Sequence, residues 1–404
     1  MKILMIIPLI PNTSMSGGQT RWFNIIKFMS KNHDITLLTL IKDDSEKKFI
    51  KPLEKYCKSV RVFHRPKSPW TIRNLLLTAL GPFPLLVIRN FSWSVRSAVK
   101  EELKKNKYDL IHGEAFYVMP HIPKSRVPNI MVEQTIEYQV YKHYVDNEVP
   151  WFLKPILMID VIKLRFWELY YWKKTDRLVA VAPEDKKVMQ KLIPGIPVDV
   201  IPNGVDSKHY LAKKVEKKKP PRVMYGVTNF EWLQNLEAAN ELVDEVWPLI
   251  HEKDKSVKLW IVGRKIPARI VAMAGTRDDI EVTESIPDAR DAYLGASVMV
   301  AAIRSSGGSR LKVLEAMAAG LPIVSTPNGV AGLDVVDGKH VLVSNDREGL
   351  ARLAIKVIRD SNLARRIGKN AEEFVQDNFD WRAIVKLHDK IYEETIERTK
   401  REYK

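Results

Sequence analysis

Short apolar runs rich in β-branched residues alternate with amphipathic stretches along this chain, and the alternation breaks off once and restarts. Strands buried on both faces read as continuous apolar runs, and the helices crossing between them expose one side, so this pattern predicts parallel sheets wrapped by helices. In the first half it predicts strands at Lys2–Leu9, Asp34–Ile41, Val60–His64, Asp109–His112, Asn129–Val132, Arg177–Ala182 and Val198–Ile201. Helices are expected at Thr20–Ser30, Ser94–Lys105, Leu153–Lys173 and Pro183–Leu192. The break is DSKHYLAKKVEKKKPPR, Asp206 to Arg222, which is polar, basic and closed by Pro220 and Pro221, as in an exposed connection. Strands then resume at Val223–Thr228, Lys258–Val262, Ile280–Val282, Val298–Ile303, Ile323–Ser325 and His340–Val343. The expected organisation is α/β, with Rossmann-like domains at residues 1–206 and 222–379 joined by a linker at 207–221. A last helix over 380–404 carries an apolar stripe of Ile384, Leu387, Ile391 and Ile396, and must pack on something.

With 404 residues, 45% of them hydrophobic, the chain has room for two large cores. Its one cysteine, Cys57, excludes an internal disulfide and fits a reduced, cytoplasmic setting. The opening MKILMIIPLI is broken by Pro8, so a buried strand is expected there rather than a signal peptide. The run Leu75–Ile88 is interrupted by Gly81, Pro82 and Pro84 and falls short of the ~18 residues of a membrane span. A net charge of +16 attracts anionic partners, among which a membrane surface is a candidate. Nucleic acid is not expected, for want of any recognition motif beyond charge.

The segment Val298–Leu333 has the most chemical content. A strand runs into Ser305, Ser306, Gly307 and Gly308, then a helix opened by Ser309, then a second buried strand from Pro322 to Thr326. Free N–H groups and the positive end of the helix dipole at such a junction favour an anion. Arg310 and Lys312, expected in the first turn, conflict with that dipole unless an anion such as phosphate lies between them. Glu315 stands three residues after Lys312, which leaves two readings open: an intrahelical ion pair, or a carboxylate free to accept hydrogen bonds from sugar hydroxyls. Gly17 and Gly18, after the first strand, suit close approach of a ligand at the carboxyl end of a sheet. Neither a GxGxxG, a Walker loop, a GxSxG elbow nor a metal-ligand spacing occurs, so no metal or other cofactor is expected.

Several ordered motifs resemble the family 4 glycosyltransferases: Gly307-Gly308-Ser309-Arg310-Leu311-Lys312-Val313-Leu314-Glu315 continuing to Thr326, Ile201-Pro202-Asn203-Gly204-Val205-Asp206, Ile286-Pro287-Asp288, and Gly226 with Trp232 and Asn235. The resemblance implies a GT-B fold, two Rossmann-like domains facing across a cleft, and retaining transfer of a sugar from a nucleotide-diphosphate donor to a glycan or lipid-linked acceptor. The nucleotide sugar would be held by Gly17, Gly18, Gly226, Pro287, Asp288, Gly307, Gly308, Ser309 and Glu315, with Arg310 and Lys312 stabilising the leaving diphosphate. Two departures from the family pattern matter. Many members have glutamates eight residues apart, but the earlier position here is Gly307; many carry cations after the strand Val223–Thr228, where this chain has Asn229, Phe230 and Glu231. Arg310 and Lys312 are the replacements.

On the acceptor side, the family's active-site histidine aligns with Gln134, near Glu137, while His112 at a strand end is the neighbouring candidate. Gln134 can orient a hydroxyl but takes no proton at neutral pH. An aromatic and basic belt, including Trp151, Phe152, Lys163, Arg165, Phe166, Trp167, Tyr170, Tyr171 and Trp172, suits either a helix resting at the inner membrane face or core packing. Surface-polysaccharide or glycoconjugate assembly would fit. The alternatives are a GT-B sugar phosphorylase, a nucleotide-sugar epimerase, or an inactive binding homologue.

Overall fold

The computed structural model describes residues 1–13, 17–213, 220–304 and 310–402. The chain divides into two compact units, Met1–Pro202 with Ile384–Lys404, and Asn203–Ala383. Unit 1 is built on β1 (Lys2–Ile7), β2 (Asp34–Ile41), β3 (Ser59–His64), β4 (Leu110–Glu114), β5 (Asn129–Glu133), β6 (Arg177–Ala180) and β7 (Val198–Val200). All pair in parallel in the order β3-β2-β1-β4-β5-β6-β7. Unit 2 has β8 (Arg222–Asn229), β9 (Lys258–Arg264), β10 (Ile280–Thr283), β11 (Val298–Ala301), β12 (Ile323–Ser325) and β13 (Leu342–Val343), parallel in the order β10-β9-β8-β11-β12-β13. Every expected strand is present within a few residues. The central ones were legible because residues such as Ile3–Ile7 and Val298–Ala301 are buried on both faces. In each sheet the chain order reverses once, beside β1 and β4 in unit 1 and beside β8 and β11 in unit 2. Open α/β sheets place ligands at the carboxyl ends of the strands at such a point.

Gly226 and Gly263 let β8 and β9 come together there. Both have φ of +147°, and a Cβ on Gly226 would lie 1.9 Å from the Val262 carbonyl oxygen, one on Gly263 2.1 Å from that of Thr228. The β8–β9 register shifts between Gly226 and Thr228 at this spot. Gly226 is therefore required by the backbone of its own sheet. Gly226→Ala is expected to destabilise the protein by about 2–3 kcal/mol, read as a lowered denaturation midpoint.

The connection differs from expectation in its first part. Ser207–Leu211 form a short helix of unit 2, with Tyr210 6% exposed. Asn203–Asp206 is clamped by the start of the last helix: Val205 bridges Asp380, and Ser207 donates its N–H to the Asp380 carboxylate at 3.3 Å. Gly204 is glycine because a Cβ would meet the Trp381 indole at 2.7 Å.

The last helix, Trp381–Glu402, buries Ile384 and Ile391 of the expected stripe together with His388, Tyr392, Thr395 and Thr399, while Ile396 is half-buried and Leu387 is exposed. At ~100° per residue, Leu387 lies ~100° from the centre of that face, and polar residues complete it. In the run Leu75–Ile88 the chain forms helices Ile72–Leu80 and Leu85–Asn90, which were not anticipated. Among the described residues no helix is long and apolar enough to cross a membrane.

Candidate active site

Four elements of unit 2 converge at the carboxyl ends of β8 and β11. The helix Leu311–Ala318 begins one residue later than the sequence suggests, and Arg310 stands at its N-cap in the left-handed conformation, φ 48°. Arg310 thus precedes the first turn, its carbonyl accepting from the N–H groups of Val313 (2.9 Å) and Leu314 (3.1 Å). A non-glycine residue in this region is strained by about 1–2 kcal/mol. Gly307, Gly308 and Ser309 lie outside the described residues.

Lys312 and Glu315 do not form the intrahelical ion pair. The Lys312 ammonium donates to the Asn235 side-chain oxygen, approaches the Tyr225 hydroxyl at 3.5 Å, and lies 5.4 Å from the centre of the Tyr225 ring. Burial, then the neighbouring Arg310 charge, lower its pKa to about 7 against the pull of Glu315. Asn235 is itself fixed, donating to Thr228 Oγ1 at 2.7 Å and the Asn229 carbonyl at 2.9 Å. Glu315 accepts from the Tyr293 hydroxyl at 2.9 Å, and the Tyr210 hydroxyl stands close by. Burial raises its pKa to about 7, opposed by the two hydroxyls and by Lys312. An ionised carboxylate has about four lone-pair sites, so Glu315 retains acceptors for ligand hydroxyls. At the departure noted after β8, Asn229 and Glu231 bond one another and Phe230 is buried. That turn contributes no cation.

Asp288 plays a local part. Its carboxylate caps the helix Ala289–Gly295 through the Arg290 N–H at 3.0 Å, pairs with the Arg290 guanidinium at 2.7 Å and receives Lys213 at 3.0 Å. These bonds, Arg290's first, hold its pKa well below the usual range, and only its backbone is left for a ligand. Pro287 is exposed beside it. Arg290 also donates to the His209 carbonyl at 2.9 Å, which ties the Ser207–Leu211 helix and Tyr210 to the site. Tyr210, Tyr225 and Tyr293 were missed from sequence, because nothing in their spacing marks them.

In unit 1, Gly17 and Gly18 open the helix Gly17–Met29 instead of lying in the preceding loop, part of which is outside the described residues. A Cβ on Gly18 would stand 2.8 Å from Gln134 Oε1, so the pair Gly18–Gln134 is in direct contact. Gln134 follows β5, and its amide nitrogen is buried without a hydrogen-bond partner among the described residues. Glu137 opens the helix Glu137–Glu148, its carboxyl raised to about 7 by burial and opposed by Arg89. The backbone N–H groups of Glu137 and Tyr138 bond the buried Glu168 carboxylate at 2.8 and 3.0 Å.

His112 is not a ligand-facing group. It is fully buried, with Nδ1 bonded to the Tyr392 hydroxyl at 2.5 Å and Nε2 to Glu114 Oε1 at 2.9 Å. Both ring nitrogens are committed beneath the last helix. Its place in unit 1 is that of a core residue.

The aromatic belt splits. Trp172 is buried and donates to Glu133 at 3.0 Å; Trp167 stacks on Phe83 with centroids 4.3 Å apart. Ile156, Ile159, Ile162, Phe166 and Tyr170 face outward along one stripe of the helix Lys154–Trp172. Among the described residues, no group of three or more His, Cys, Asp or Glu side chains is arranged to hold a metal ion.

Comparison with known proteins agrees with this architecture. Residues 15–209 match the family model for glycosyltransferase family 4, and residues 222–360 that for group 1 glycosyl transferases. A Klebsiella pneumoniae protein of the cps region, itself uncharacterised, is 22% identical over 394 residues, covering 95% of this chain and 97% of its own. Among solved structures, sucrose-phosphate synthase from Thermosynechococcus elongatus superposes with a TM-score of 0.68 at 18% identity, over 97% and 98% of the two chains. HepE of Anabaena, solved with UDP and glucose, gives 0.64 at 14% identity over 97% and 99%. At these identities the structures speak for the fold. With both sheets, their parallel order and the two family matches in hand, the chain belongs to the family 4, group 1 glycosyltransferases and has their GT-B fold.

Proposed function

We propose that this glycosyltransferase moves a sugar, with retention and without a metal, from a nucleotide-diphosphate donor bound by unit 2 to a glycan or lipid-linked acceptor bound by unit 1. The observation that carries the reading is Lys312: a largely buried ammonium beside Arg310, with no carboxylate ion-paired to it among the described residues, at the chain reversal of the unit 2 sheet. A leaving diphosphate is the charge such a pair suits. Cations positioned before the reaction stabilise it as it develops, which is the term expected to dominate. Glu315, beside two tyrosines, orients hydroxyls of the donor, and Gln134 against Gly18 orients a hydroxyl at unit 1. A binding and turnover screen over UDP-, GDP- and ADP-sugars tests this. One nucleotide class is expected to turn over, with a rate unchanged by EDTA; no binding of any nucleotide would overturn the reading.

The same proposal places the protein on an anionic membrane surface, in line with surface-polysaccharide assembly and with the cps region of the Klebsiella relative. The helix Ile72–Leu80 leaves Ile72 78% and Leu80 86% exposed, and Phe166 is 62% exposed on Lys154–Trp172. Lys163 joins the two helices by donating to the carbonyls of Thr78 (2.6 Å) and Gly81 (2.8 Å). Ile72–Leu80 contains no acid, and the two acids of the longer helix, Asp160 and Glu168, are buried. Arg73 and Arg165 are exposed on these helices. Apolar side chains with flanking cations and no exposed acid match an anionic interface. The protein is expected to float with vesicles containing phosphatidylglycerol and not with neutral ones. Exchanging Ile159 and Phe166 for serine should weaken that binding by about tenfold or more; unchanged flotation would contradict this surface.

A further inference from the structure

Two arginines of unit 1 are placed as no structural need explains. Arg65 follows β3, is 8% exposed, and donates to the Asn90 side-chain oxygen at 2.8 Å, while its Nε has no partner. Arg89 is the neighbour of Asn90 at the end of the helix Leu85–Asn90, half-buried, and makes no hydrogen bond or ion pair among the described residues. This helix packs on the turn Phe116–His121 after β4, which supplies Tyr117. Burial first, then the charge of Arg89, lowers Arg65 to about 10, with Tyr117 and Glu46 opposing. Burial also lowers Arg89, with Tyr117 and Glu137 opposing.

A buried guanidinium without a carboxylate partner is costly, and two that repel each other are more so. The ordinary remedy is an ion pair, and here Glu46 and Glu137 act only at longer range. Arg65, Tyr117 and Glu137 all follow the carboxyl ends of strands (β3, β4 and β5), the edge where Gln134 meets Gly18. A planar fork of donors suits an oxyanion with two or more oxygens.

We infer that Arg65 and Arg89 form an oxyanion subsite in unit 1, so that the acceptor is anionic and bears a phosphate or carboxylate group. This rests on the reading that unit 1 binds the acceptor. It adds the acceptor's chemical class, and it makes Arg65 and Arg89 specificity-determining residues, with Asn90 positioning Arg65. A neutral glycan would leave the buried Arg65 and the half-buried Arg89 guanidiniums unmatched, so the site discriminates against it.

The test is the rate of phenylglyoxal modification of Arg89 in the full chain, read peptide by peptide. It is measured with inorganic phosphate, with acetate, and with potassium chloride at equal ionic strength. Saturating phosphate or acetate is expected to slow Arg89 by about fivefold relative to chloride, and whichever anion acts tells phosphate from carboxylate. Arg65→Lys, which keeps the charge and loses the fork, should reduce that protection. Arg89→Gln should raise Tm, because it removes a half-buried charge that has no ion pair among the described residues and repels Arg65; a structural arginine would lower it on removal. No protection by either anion beyond chloride overturns the inference. A nucleotide sugar should protect Arg310 and leave Arg89 unprotected. If no nucleotide protects Arg310 while phosphate still protects Arg89, the donor reading fails and the anion subsite stands.

Discussion

Replacing Arg310 by glycine is expected to leave the protein at least as stable as before and to cut kcat/KM by about 10²–10³. The two effects have separate origins in one residue. The backbone at φ 48° is strained for arginine and unstrained for glycine, so the substitution releases local strain at the N-cap. The guanidinium is the charge assigned to the leaving diphosphate, and glycine removes it. A variant that merely damaged the fold would lose stability and activity together. A rise or no change in the denaturation midpoint alongside lost turnover is the outcome specific to a strained, charge-bearing cap. Full activity in Arg310→Gly would remove this residue from the mechanism.

Lys312→Met should cost about 10²-fold in donor affinity at pH 6 and much less at pH 9. In the free protein, burial and Arg310 hold the Lys312 ammonium at about 7, so it is charged below that pH and neutral above it. A bound diphosphate favours the charged form and raises its pKa. Donor affinity in the wild type is therefore greatest below pH 7 and falls as pH rises, by up to tenfold per unit. At pH 8, binding takes up close to one proton, measurable by calorimetry in buffers of different ionisation heat. The variant has no such group, so its affinity should be flat over the same range apart from the contribution of Glu315, which also titrates near 7. Proton release on binding would contradict this assignment.

The fold was legible from sequence because its signals are local and repeated: each central strand is an apolar run, and amphipathic stretches separate one run from the next. The donor site was legible in part for the same reason. Arg310, Lys312 and Glu315 share one short helix and its cap, and the conflict of the two cations with the helix dipole shows in the sequence. What was not legible comes from distant segments. Tyr210 and Tyr293 reach Glu315 from segments 105 and 22 residues away, and Asn235 reaches Lys312 from 77 residues away. His112 looked available because a histidine at a strand end reads the same whether open or covered; what covers it is Tyr392, 280 residues further on. Arg65 and Arg89 drew no notice for a similar reason. Each lies alone in its own loop or helix end, and only the folded sheet edge makes both neighbours of Tyr117, with Arg89 also near Glu137.

The central claim is that Arg310 and Lys312 carry the charge of the donor diphosphate between them. Its most direct measurement is the dissociation constant, at pH 6.5, of the nucleotide sugar that turns over, for the wild type and for the double variant Arg310→Gly, Lys312→Met. Two charge-assisted contacts at ~1.5–3 kcal/mol each predict affinity weaker by about 10²- to 10⁴-fold, in a protein that still unfolds cooperatively. Equal affinity in the two proteins would contradict the account.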